Sequence, residues 1–432
     1  MVDLPWDTGV LRVPTPPGWR LLGIFAPQPT KPSADPYRAC REALAHPLGT
    51  APLTSRDLRG KRVLLVVDDH SRPTPAHRFF RSVRDALVEA GADHLSVLFA
   101  LGAHRAMTLE EAAAKIGAEA LALQPWHNHS AFDHNELAYL GTTSSGTPVY
   151  VNRLVAEADL VVTLGAIEPH LLAGFSGGLK MLVPGCAGAV SIAHNHMQGL
   201  DAPGFNQVGA AGPAAPMRRD LEEAARMIRA EVFIVNVALT GAGEIAAFFC
   251  GDPIQAFQQG IAYVRQHSEC VVPEKADIVI ANSRPLDVDL RQGMKCLGNT
   301  LFAARPGGIV MGMLRCLEGV GDVQAPSVAF PYGVSRFLAR ALGRHALLLH
   351  DWLRWHDPIE ERFLGHFGLQ MLQRNELWFY SDGVDPRVSG KLSLLRQFRS
   401  LERMMAAAER RVGSQATVAV FPLGGISYAR AS

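Results

Sequence analysis

Arg62-Val-Leu-Leu-Val-Val67, running directly into Asp68-Asp-His-Ser-Arg-Pro-Thr-Pro75, is the stretch that decides the fold. A short apolar run rich in valine predicts a buried strand, and the polar loop leads into helical spacing over residues 76–90, closed by Gly91. The same alternation recurs downstream. Residues 95–100 read as a strand and 108–116 as a helix, with Thr108 as N-cap and Glu111 three positions on. A third buried strand is expected at 159–164, a helix at 220–230, a strand at 232–238 and a helix at 253–266. Short apolar strands alternating with helices imply a mostly parallel sheet covered on both faces. Residues 127–150, with three histidines and a turn cluster, look like a hairpin or excursion from it.

A chain of 432 residues is too long for one ordinary core, so two domains are expected. The first sixty residues are rich in proline and predict an arm with one or two short strands. Residues 271–276 carry proline and charge and read as a linker. It would divide an N-terminal α/β domain, 1–270, from a C-terminal α/β domain, 271–432. Strands of the latter are expected at 278–281, 308–313, 346–350, 377–380 and 417–421. The fold class is thus α/β: two domains with mostly parallel sheets flanked by helices.

A net charge of +1 gives no electrostatic case for nucleic acid or an anionic membrane, and no apolar run is long enough to span a bilayer. Six scattered cysteines without a Cys-x-x-Cys pair argue against a zinc ribbon or a disulfide framework. With no signal-peptide pattern at the N-terminus, a cytoplasmic location is expected.

Three polar clusters follow predicted strands: Asp69-His-Ser-Arg-Pro-Thr-Pro75, Gly102-Ala-His-Arg105 and Glu168-Pro-His170. In a parallel sheet the carboxyl ends of the strands share one edge, where ligands bind. Asp69, Arg72, His104 and His170 should therefore converge, although each alone is an ordinary loop residue. Gly174-Phe-Ser-Gly-Gly-Leu-Lys180 is neither a Walker sequence nor G-x-G-x-x-G, yet a glycine-rich loop can present N–H groups to a phosphate. His194 and His196 would share a face on a strand and be separated on a helix. Imidazole suits nickel among other metals. In the second domain Arg291, Gln292 and Lys295 can share a helical face as an anion clamp or as a plain solvated face.

Together these motifs resemble the nickel-pincer lactate racemases and their 2-hydroxyacid racemase and epimerase homologues. The similarity runs from about residue 60 to the C-terminal region. The matching pieces are the three clusters above, the Gly174–Lys180 loop with Pro184-Gly185, His194-Asn-His196 and Gln292-Gly-Met-Lys295. The resemblance implies two α/β domains with the active site in the cleft between them. It also implies a nickel-bearing pyridinium dithiocarboxylate mononucleotide, tethered through Lys180. His196 is the implied nickel ligand, with His194 the alternative, and His104 and His170 the acid/base catalysts. Asp69, Arg72, Thr74, Ser176, Gly177 and Gly178 are the implied cofactor contacts. Arg72, Arg291, Gln292, Lys295 and Trp355 are the implied substrate contacts. One departure stands out: the family carries an aromatic residue where this chain has Arg291, and a cation there would favour a second carboxylate or a larger polar substituent.

The implied reaction inverts Cα of a 2-hydroxyacid by hydride removal and return through a 2-ketoacid, which avoids an expensive dianion. Bases on two sides are needed because both enantiomers are substrates. The competing readings are a dehydrogenase using the same cofactor and a non-catalytic carrier of the nickel nucleotide. Expected partners are the small substrate and the proteins that mature the cofactor. A monomer or homodimer is expected, loaded only when those proteins are present.

Overall fold

The computed structural model describes every residue except 201–204, 211–213, 322 and 432. Two compact units emerge: Pro29–His267, and a second built from Met1–Gln28 together with Ser268–Ser432.

The main sheet of the first unit has six strands: β1 (Arg62–Asp68), β2 (His94–Ala100), β3 (Trp126–Asn128), β4 (Leu160–Ala166), β5 (Glu231–Leu239) and β6 (Ile245–Gly251). They are ordered β6-β5-β4-β1-β2-β3, all parallel except β6. Its helices include α1 (Phe80–Glu89), α2 (Leu109–Ile116), α3 (Ala189–Leu200) and α4 (Pro216–Ala225). β1 shows why both faces must be covered. Val63, Leu65 and Val67 pack with Phe79, Phe80 and Val83, while Leu64 and Val66 pack with Leu179, Leu182 and Val183. Each such side chain contributes roughly 1.5–3 kcal/mol on burial. The Lys180 loop is thereby fixed to the sheet by its own flanking residues. α2 begins as read, in a capping box between Thr108 and Glu111. Residues 127–150 include the antiparallel pair Leu137–Thr142 and Pro148–Asn152.

In the second unit, β7 (Ala276–Asn282), β8 (Ala304–Met313), β9 (Glu376–Tyr380), β10 (Arg396–Phe398) and β11 (Thr417–Phe421) form a parallel sheet ordered β10-β9-β8-β7-β11. Its last member is Arg20–Ile24, hydrogen-bonded to β11. Residues 1–28 therefore do not belong with the N-terminal unit; a strand pairs where an open edge of matching register exists, whatever its place in sequence. The helices used below are α5 (Leu290–Gly293), α6 (Lys295–Thr300), α7 (Arg344–Leu353) and α8 (Ile359–Arg374).

Two further expectations fail. Residues 346–350 form part of helix α7, with Ala346 and His350 buried four apart and Leu348 66% exposed. A short apolar run fits either period, and here the helical one wins. The expected linker overlaps a strand, Glu269–Val272, paired with Tyr428–Ala431. Among the described residues no helix is long and apolar enough to cross a membrane.

Candidate active site

β1, β2 and β4 are neighbours and parallel, so the loops leaving Asp68, Ala100 and Ala166 open at one edge of the sheet. Contacts tie these loops together. The Gly102 N–H donates to the Gly185 carbonyl at 2.8 Å, and His104 Nδ1 lies 2.9 Å from Asp69 Oδ2.

The loop after β1 is braced from beneath by residues that sequence reading passed over. Asp68 is buried, 2.6 Å from Lys115 Nζ of α2, and accepts the Thr74 hydroxyl at 2.5 Å. Lys115 also donates to the Arg72 carbonyl at 3.1 Å. Burial pushes the Asp68 carboxyl above its ordinary range, against the pull of Lys115 and Thr74. Thr74, expected at the cofactor, thus has its hydroxyl hydrogen on Asp68. Asp69 next door behaves oppositely. Burial would raise it, but the charge and hydrogen bond of His104, then Arg72 and Ser71, hold it well below the usual carboxylate range. Its other oxygen accepts the Ser71 N–H at 2.7 Å. The doubled aspartate was the available signal; Lys115 gave none.

The loop after β4 turns through the short hairpin Pro169–His170 and Gly174–Phe175. His170 Nδ1 accepts two backbone N–H groups, from Leu172 at 3.2 Å and Ala173 at 3.1 Å. Ser176 closes the loop on itself, its hydroxyl donating to the Ala166 carbonyl at 3.1 Å and accepting from the Glu168 N–H at 3.0 Å. Gly177 and Gly178 have φ of +78° and +59°, and a Cβ on Gly178 would stand 2.9 Å from the Phe257 ring. The Gly178 N–H is held by Asn236 Oδ1 at 2.9 Å. Arg218 of α4, fully buried, donates to the carbonyls of Phe175 and Gly177, with its guanidinium 4.5 Å over the Phe257 ring. Burial depresses it to about 10. Nothing in the run Met217-Arg-Arg-Asp220 marked that arginine in advance.

His194 and His196 lie on helix α3, so their faces differ: His194 is exposed and His196 is buried. Asn195 between them fixes the helix, donating to Asp220 Oδ2 at 2.8 Å and to the Met217 carbonyl at 3.0 Å. His196 Nδ1 lies 2.6 Å from the Ile192 carbonyl, which can only accept, so Nδ1 bears the proton and Nε2 the lone pair. Burial first, then the charge of Lys180, lowers His196 to about 4. A neutral imidazole anchored through one nitrogen is the form a metal ligand takes. His129 is also lowered to about 4 by burial, but its ring is occupied by the Ala187 carbonyl and the Asn152 amide.

The remaining expected site residues lie in the second unit. Asp289 caps α5 through the Gln292 N–H at 2.7 Å, and Lys295 Nζ donates to Gln292 Oε1 at the start of α6. Arg291 is paired with Glu361 of α8 at 2.5 Å, with side-chain exposures of 13% and 7%. Its charge is met inside its own unit, which weakens the case for a second substrate carboxylate. Trp355 is 64% exposed, its ring against His356. His350, Asp351 and His366 gather as a further group of metal-type side chains. Arg354 Nη1, however, donates to His350 Nε2 at 3.0 Å, and a guanidinium is a poor neighbour for a cation.

Comparison with known proteins gives the following likenesses. Residues 7–206 match the lactate racemase N-terminal domain. A lactate racemase of Thermoanaerobacterium thermosaccharolyticum is 31% identical over 284 residues, 65% of this chain and 66%, just under two thirds, of that relative. A lactate racemase of Lactiplantibacillus plantarum is 28% identical over 400 residues, 89% of this chain and 88% of the relative. The lactate racemase apoprotein from T. thermosaccharolyticum superposes with a TM-score of 0.81 at 24% identity, covering 99% of both chains. A Thermotoga maritima protein gives 0.68 at 18% identity, covering 92% of this chain and 99% of that one. The chain thus has the fold of the lactate racemase apoprotein and is similar in sequence to lactate racemases over most of its length.

Proposed function

We propose that this protein is a 2-hydroxyacid racemase or epimerase that inverts Cα through a 2-ketoacid with a lysine-tethered nickel-pincer nucleotide. The isomerase class follows from the likeness to lactate racemases. The observation carrying the reading is the sheet edge at which Asp69, His104, His170 and Lys180 leave three adjacent strands, with a neutral His196 under the influence of the Lys180 charge.

The residues fit such a group. Lys180 offers the amine for the tether, and His196 Nε2 offers a lone pair for nickel. Gly177 and Gly178, both of positive φ, carry no Cβ at that turn of the loop. When bound, the group accepts and returns hydride. The chain's own part is to bind, orient and move protons. Arg72 holds the carboxylate while the ketoacid turns. His104 and His170 serve the substrate oxygen, where acid/base catalysis is typically worth about 10²–10⁴ in rate. Thr74, Ser176 and Arg218 keep the loops in shape.

The test uses full-length protein co-produced with cofactor-maturation proteins. Intact mass should show an adduct on Lys180, and single enantiomers of a hydroxyacid panel should racemise in D₂O without deuterium entering Cα. Loaded enzyme that racemises none of them refutes the reading. Steady release of free ketoacid would instead mark a dehydrogenase.

A further inference from the structure

We propose that the two histidines play unequal parts: Asp69 makes His104 the proton carrier, and the backbone holds His170 as a neutral hydrogen-bond donor. The proposal rests on the racemase reading and divides the labour which that reading leaves shared.

Asp69 is almost wholly buried, with 3% of its side chain exposed, and its two oxygens are assigned. Oδ1 accepts the Ser71 N–H at 2.7 Å, and Oδ2 faces His104 Nδ1 at 2.9 Å. A carboxylate can only accept, so the His104 proton sits on Nδ1 and the lone pair on Nε2. When Nε2 takes a substrate hydroxyl proton, the O–H bond breaks, an N–H bond forms, and the imidazolium stands against a buried anion. The reverse transfer restores the resting state. An orienting acid behind a histidine is how a proton carrier is held in one tautomer.

His170 is set the other way. Two N–H groups, of Leu172 and Ala173, point at its Nδ1, and a backbone N–H cannot accept. A proton on Nδ1 would oppose both, so the ring stays neutral with its proton on Nε2. The hairpin that sets this geometry is closely packed. Gly174 turns at φ +76°, and a Cβ there would stand 1.9 Å from the Ala210 carbonyl oxygen. A neutral imidazole so fixed can polarise a ketone but cannot cycle through imidazolium. His104 then serves both enantiomers, while His170 steadies the ketoacid oxygen between hydride steps.

The experiment reads tautomers directly, in full-length apoprotein carrying ¹⁵N-histidine. Two-bond ¹H–¹⁵N correlations are assigned with His104→Gln and His170→Gln. At neutral pH His104 should show a protonated Nδ1 and a lone pair on Nε2, and His170 the reverse. Asp69→Asn should invert the His104 pattern. The amide oxygen must meet the Ser71 N–H, which turns the NH₂ group toward the ring. An Nε2–H His104 in the wild type, an unchanged pattern in Asp69→Asn, or a His170 protonated on Nδ1 overturns the proposal. In loaded enzyme Asp69→Asn should lower kcat at least 100-fold with little change in KM, and His170→Gln, which keeps a donor, should retain more activity than His104→Gln. Equal losses in the two glutamine variants would also overturn it. If no variant or wild type racemises anything, the racemase reading fails while the tautomer spectra still decide the wiring.

Discussion

Replacing Lys115 by methionine should destabilise the first unit by about 3 kcal/mol at pH 7, and mild acid should restore about half of the loss or more. The ion pair with Asp68 is 2.6 Å long, and only 5% and 8% of the two side chains are exposed, so water cannot take over the lysine's part. Breaking a buried pair typically costs about 3–5 kcal/mol because a charge is left uncompensated. An independent ceiling comes from the escape route: Asp68 can stay folded by taking a proton. At pH 7, protonating a carboxyl of ordinary pKa near 3.9 costs about 4 kcal/mol, at about 1.36 kcal/mol per unit. At pH 5 the same ceiling is about 1.5 kcal/mol. The sign follows from proton counting. In the variant the folded state holds a proton that the unfolded state releases above its own pKa, so stability rises as pH falls toward that value. Burial already pushes the wild-type carboxyl upward, which is the same tendency held in check. Native-state hydrogen exchange of the β1 amides isolates this unit from its neighbour. Adding Asp68→Asn should recover stability at pH 7 without acid. A loss below about 1 kcal/mol at pH 7, or one unchanged at pH 5, would refute the reasoning.

Three further outcomes are expected. Apoprotein stability should fall as pH drops from about 6.5 to about 4, because buried His196 and His129 resist protons that the unfolded chain takes up. The slope should approach about 2.7 kcal/mol per pH unit, and His129→Gln should halve it in urea titrations. Gly178→Ala should cost about 2–4 kcal/mol, from a left-handed backbone and a Cβ against Phe257, read by thermal unfolding. His196→Ala should abolish nickel retention in loaded enzyme, measured by metal analysis, and His194→Ala should leave it intact.

Much of the first unit was legible because its strands are short, apolar and β-branched, and because polar loops sit at their ends. The Thr108–Glu111 box fixed a helix start to the residue. The 346–350 helix was misread because a run of five apolar and neutral residues carries no period. Arg20–Ile24 was placed in the wrong unit because strand pairing at long range leaves no local trace. At the candidate site, the residues that could be read in advance are those with unusual chemistry in loops. Those that hold them, Asp68, Lys115, Arg218 and Asn236, were missed because burial and partnership, which define their roles, are properties of the fold.

The discontinuous second unit has a consequence for synthesis on the ribosome. The unit Pro29–His267 is one uninterrupted stretch and can form while the chain is still emerging. Arg20–Ile24 cannot pair until β11 exists, and roughly 390 residues separate Ile24 from Thr417. At about 5–20 residues per second, that strand waits roughly 20–80 seconds with its backbone unpaired. Pro16, Pro17 and Arg20 lie just before or at its start, where imino acids and charge discourage premature association with other nascent chains.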